Sequence, residues 1–118
     1  MEANSNYNSE ELTEKFFEDY SRLGILFSQA KSERCGLEHF RKVLRSELMV
    51  EASVNGVKSF QNQQRDAEAH PRYASLVSAY EAAVLKESRA YMEIEILKLK
   101  FERWRTLRAD ERAAMNFR

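Results

Sequence analysis

The sequence predicts an all-α protein, an elongated antiparallel helical hairpin of coiled-coil character with a short connecting helix. Three observations predict it. Apolar residues recur every three or four positions over two stretches of similar length, 9–54 and 71–116, flanking a polar middle at 55–70. The 118 residues include three glycines and one proline, too few for the turns of a sheet. Charge is placed unevenly. Residues 1–20 carry Glu2, Glu10, Glu11, Glu14, Glu18 and Asp19 against Lys15 alone. Residues 98–118 carry Lys98, Lys100, Arg103, Arg105, Arg108, Arg112 and Arg118 against Glu102, Asp110 and Glu111. Folding back at the middle brings the acidic end beside the basic one.

The elements follow in order. Residues 1–8 are polar and read as a disordered amino terminus, with Asn8 as N-cap and Glu11 as its capping-box partner. Arm one, 9–54, then sets Leu12, Phe16, Tyr20, Leu23, Phe27, Ala30, Leu37, Phe40, Leu44 and Leu48 on one face. That series keeps helical phase through Cys35-Gly36, which favours one continuous helix over two. Arg34, Gly36 and Arg41 nevertheless make the middle of the seam poor and leave a break there open. Asn55-Gly56 is a stop signal, because glycine accepts the left-handed conformation that ends helices. Ser59 can cap a short polar helix over 60–69, and Pro71 suits the first turn of the next.

Arm two, 71–116, is the best-defined element. Its inward positions read Tyr73, Leu76, Val77, Tyr80, Ala83, Val84, Ala90, Tyr91, Ile94, Leu97, Phe101 and Trp104, interrupted by Glu87 and Lys98. Leu85, Met92 and Leu99 recur every seven residues on the opposite side, joined by Ile96. A helix apolar on two sides cannot be satisfied by one neighbour. These four residues are therefore the expected self-association face. Each arm would be roughly 65–70 Å long at about 1.5 Å per residue. Two such helices bury little surface, so a dimer completing a four-helix bundle is expected. Residues 9–118 read as a single helical domain.

Composition narrows the function classes. Acidic and basic residues balance at 19 each, so no net field draws in nucleic acid or an anionic membrane. The single cysteine, Cys35, excludes an intramolecular disulfide and suits a reducing compartment. No apolar run reaches the roughly 20 residues of a membrane span, and the amino terminus lacks signal-peptide order. The chain reads as a soluble cytoplasmic protein with no membrane partner.

Signatures of catalysis are missing: no phosphate-cradling glycine loop, no nucleophile elbow and no HExxH helix. No catalytic residue, cofactor or metal is expected, and the chain reads as a non-enzyme. Cys35 and His39 would share a helix face, but two ligands do not make a zinc site. The plainer reading is a buried thiol beside a surface imidazole. Glu87 reads as a polar seam residue that sets register rather than an acid/base carboxylate.

Arg105, Arg108 and Arg112 form a ridge beside Trp104, with Arg103 close by. Arginines with an exposed aromatic can track phosphates and stack on an unpaired base. The competing reading puts Trp104 in the seam and pairs the arginines with the acidic turns of arm one. In the connecting segment, Lys58, Phe60 and Arg65 stand out as a partner surface, with a simple bundle cap as the equal alternative.

Two stretches carry a resemblance. One is Lys58-Ser59 with Arg65, Ala67 and His70-Pro71-x-Tyr73; the other is Phe101-Glu102-Arg103-Trp104-Arg105-Thr106 followed by Arg112-Ala113. Together, over residues 55–115, they resemble small helical phage and prophage proteins encoded among recombination and replication genes. The resemblance implies an accessory role around DNA metabolism or host interference, in the host cytoplasm, with no catalytic residues to carry over. Secreted Trp-x-Gly hairpins are set aside, because no such tripeptide lies in the turn. The expected function is thus a non-enzymatic interaction protein that self-associates, with a dimer favoured, and docks on a further protein. The alternative is a nucleic-acid-binding accessory factor using the basic carboxyl-terminal arm.

Overall fold

The computed structural model describes residues 9–117, which form three α-helices and no strand. These are α1 (Ser9–Val54), α2 (Phe60–Ala69) and α3 (Pro71–Asn116). The expectations for residues 1–8, including the Asn8 cap, and for Arg118 lie outside the described residues.

The helix ends are local chemistry. At the end of α1, Gly56 adopts φ +99°. The Val57 N–H donates to the Ala52 carbonyl at 3.0 Å and the Gly56 N–H to that of Ser53 at 3.1 Å. This is the pair of hydrogen bonds of a glycine-terminated helix, and it satisfies carbonyls that would otherwise be orphaned. The Ser59 hydroxyl accepts from the Asn62 N–H at 3.0 Å and starts α2. His70 then serves two helices. Its N–H donates to the Ala67 carbonyl, closing α2, and its carbonyl accepts from the Tyr73 and Ala74 N–H groups, opening α3. Its imidazole Nδ1 also accepts from the Arg72 N–H at 3.1 Å, the bond an N-cap side chain makes. Because it precedes Pro71, His70 is held extended, which forces the corner between the helices.

α1 is continuous through Cys35-Gly36, as the phase argument favoured. The helices fall into two units: 9–27 with 89–117 of the described residues, and Ser28–Ser88. Within each, α1 and α3 run antiparallel. In the first unit Phe16 stacks on Phe101 at 3.9 Å between centroids, Phe27 lies 6.0 Å from Tyr91, and Ser9 meets Arg108. In the second, Lys86 donates to Glu33 at 3.0 Å and Arg41 lies over the Tyr80 ring at 4.9 Å. There α2 adds a third element. Leu44, Leu48 and Ala67 form a buried cluster with Met49, Tyr73 and Leu76 packed against it.

The expected inward positions of α3 are all buried or half-buried except Tyr91, which is exposed; Glu87 is half-buried and Lys98 exposed. Arm one corrects the expectation twice. Phe40 is 59% exposed, and Arg41 takes the inward position. Tyr20 is exposed, and Asp19 is half-buried, paired with Lys15 and Arg22. The cause at Phe40 is register. The covered positions 23, 27, 30, 34, 37, 41, 44 and 48 alternate strictly by four and three, which carries Arg34 and Arg41 inward and turns Phe40 out.

Candidate interaction surfaces

In the unit holding 89–117, the inward side of α3 is Ala90, Ile94, Leu97, Phe101 and Trp104. Met92, Ile96 and Leu99 fall between these positions and point away from α1, at 55%, 47% and 65% exposure. Their flanks are charged and unengaged. Arg89, Glu93, Lys100 and Arg103 are all exposed and make no ion pair among the described residues. Glu95 does have a partner, Lys98 Nζ at 3.0 Å, and this bond holds the Lys98 ammonium above its ordinary pKa. The fourth residue of the expected face, Leu85, is exposed in the other unit.

The basic end of α3 follows one half of the favoured expectation and departs from the other. Trp104 is half-buried against Phe101, with ring centroids 5.5 Å apart, so it fills the seam. The arginines, however, do not pair with acids of α1 among the described residues. Arg108 donates to the Ser9 hydroxyl at 2.8 Å and pairs with Glu111 of its own helix at 3.3 Å. Arg105 and Arg112 make no ion pair among the described residues. Together these side chains line a cleft of about 590 Å³ with Trp104 and Glu102. Every described residue from 105 to 117 is exposed.

At the connecting helix both readings find support. Its inner side is a cap, since Ala67 is buried and Glu68 pairs with Arg45 at 3.7 Å. Its outer side leaves Phe60 69% exposed, beside a groove of about 490 Å³ lined by Met49, Val50, Val54 and Gln64. Lys58 and Arg65 are exposed without ion pairs among the described residues. These three belong to one unit; Arg103, Arg105, Arg108 and Arg112 belong to the other.

Glu87 has the partner the sequence did not reveal. Arg34 Nε donates to its Oε1 at 2.6 Å and Arg34 Nη2 to its Oε2 at 3.4 Å, while Arg34 Nη1 reaches Glu38 at 3.2 Å. This two-pronged bond raises the Arg34 guanidinium above its ordinary pKa. The sign follows: its contribution is complete below the ordinary guanidinium range and is lost only when pH rises through the raised value, so neutral pH leaves it untouched. Two residues that each weaken a greasy seam thus compensate one another across it. Arg34 and Glu87 are each a charged position in its own seam, and the antiparallel register brings the two opposite.

Cys35 is exposed, which corrects the expectation of a buried thiol: the strict heptad puts Arg34 inward, and its neighbour turns out to solvent. His39 is exposed as expected. Among the described residues no three His, Cys, Asp or Glu side chains cluster as metal ligands, and no helix is long and apolar enough to cross a membrane. Comparison with protein-family models, curated proteins and solved structures finds no match to this chain.

Proposed function

We propose that this protein is a non-enzymatic helical adaptor of the cytoplasm that self-associates through the outer face of α3 and docks on one further protein. The observation that carries the reading is the exposed run Met92, Ile96 and Leu99, set on a helix whose opposite side is already satisfied by α1. Single exposed leucines are ordinary on a protein surface; an ordered row of them at helical spacing marks a contact. Because this row faces away from α1, two copies meet α3 to α3 and bring four helices together. The resemblance over residues 55–115 supports a phage accessory role in DNA metabolism or host interference. Phe60, beside its apolar groove with Lys58 and Arg65 nearby, is the surface offered to the further protein.

The test is the double substitution Met92→Glu and Leu99→Glu. Both side chains already face solvent, so helicity by circular dichroism should persist while the mass from light scattering falls to that of one chain. Unchanged mass would remove this face from the proposal.

A second reading has its own observation: Arg105 and Arg112 line a cleft without ion-pair partners. A polyanion would occupy such a ridge, although the half-buried Trp104 offers little ring for stacking. Binding of single- or double-stranded oligonucleotides should then fall steeply between about 50 and 200 mM salt and vanish in an Arg105→Glu, Arg112→Glu variant. No binding at low salt ends this reading.

A further inference from the structure

We infer that the two copies pair through antiparallel α3 helices, with Ile96 of each seated against Leu99 of the other and Glu93 of each beside Lys100 of the other. This deepens the self-association reading and rests on it. The ridge Arg89, Met92, Ile96, Leu99 and Arg103 is spaced by three, four, three and four residues, the alternation of a helix–helix seam. All five are exposed, and the arginines close the apolar run at both ends.

Charge chooses the occupant and its direction. A parallel, in-register pair would set each seam residue on its own copy, stacking Arg89 on Arg89 and Arg103 on Arg103. Reversing one helix about a twofold between Leu97 and Lys98 removes both clashes. Arg103 then lies over Met92 of the other copy, where its aliphatic stem covers apolar surface and its charge stays in water. The flanks agree. Antiparallel helices bring like flanks together, and Glu93 and Lys100, seven apart on one flank, are exposed with no ion pair among the described residues. Reversal sets them opposite each other twice, once on each side of the twofold. A parallel pair would offer Lys100 only Glu95, which already holds Lys98. The opposite flank brings Glu95 near Glu102, and the Lys98 charge offsets that approach. The contact is isologous, so it closes as a dimer rather than propagating into a fibre.

The experiment uses the full chain with Cys35→Ser, which removes the exposed thiol, and Thr106→Cys carrying a nitroxide. Light scattering reports mass and pulsed electron resonance reports the label separation. Antiparallel pairing sets residue 106 opposite Arg89, which separates the two labels by about 26 Å along the axis. A parallel pair leaves them roughly 10 Å apart. A dimer with the long separation supports the inference. A dimer with the short one overturns it and leaves self-association standing, whereas a monomer at every concentration overturns both. Charge reversal gives a second readout: Lys100→Glu should weaken the dimer roughly tenfold, and adding Glu93→Lys should restore it. Absence of that rescue rules out the Glu93–Lys100 contact.

Discussion

The two units of this hairpin share the same pair of helices yet differ in what they bury. In Ser28–Ser88, the residues Ala30, Leu44, Leu48, Ala52, Ala67 and Ala83 are buried. In the other unit Leu23 alone reaches that state among the described residues. At Leu44 and Leu48 the difference is α2. A third helix lying across two others closes the side from which water reaches a two-helix seam, so Leu44 and Leu48 become a core. Where α1 and α3 have only each other, even large side chains such as Phe16, Phe101 and Trp104 stay half-exposed. Extra aromatic rings do not replace a missing neighbour.

One buried leucine from each unit gives the largest expected effect. Leu48 is 3% exposed beneath α2, and Leu48→Ala should cost about 2–5 kcal/mol in denaturant unfolding. Leu23→Ala should cost clearly less, because its surroundings admit water and can relax. Equal losses would show that α2 adds nothing. Next in size is Gly56→Ala, which forces a side chain into the left-handed conformation at the α1–α2 corner. A loss of about 1–2 kcal/mol is expected, with faster amide exchange at Val57.

His70→Ala removes the side chain that caps α3 and should cost about 1 kcal/mol of thermal stability, while His70→Asn, another N-cap former, should restore most of it. If the asparagine variant is no better than alanine, the imidazole bond contributes nothing. The smallest effect sharpens the comparison from the stabilising side. A Cβ at Gly36 meets nothing within 4 Å, so Gly36→Ala should raise stability by up to about 1 kcal/mol. A destabilised variant would mean that α1 needs to bend there.

Much of the hairpin was legible because it depends on neighbours in sequence. Asn55-Gly56, Ser59 and Pro71 mark their boundaries through bonds that span a few residues, and the wide apolar stripe of α3 announces its inward side. The exposed Met92, Ile96 and Leu99 were legible for the same reason, as a second period on one helix. His70 was missed because histidine seldom stands out as a cap. The partners of the arginine ridge were not legible, because charge totals at two chain ends say nothing about which side chains come within reach.

Three helices, their ends and the face that α3 turns inward follow from local chemistry along the chain, since propensity, capping and periodicity act over one or two turns. Which side of α1's middle faces its partner was settled by long-range packing. Phe40 and Arg41 both fit the local period, and the register of the whole seam turned Arg41 inward, where it lies over the Tyr80 ring. In the same way Arg34 is held inward by Glu87, 53 residues further along the chain. A greasy side chain loses that contest when the register set by the rest of the seam offers its charged neighbour a matched partner.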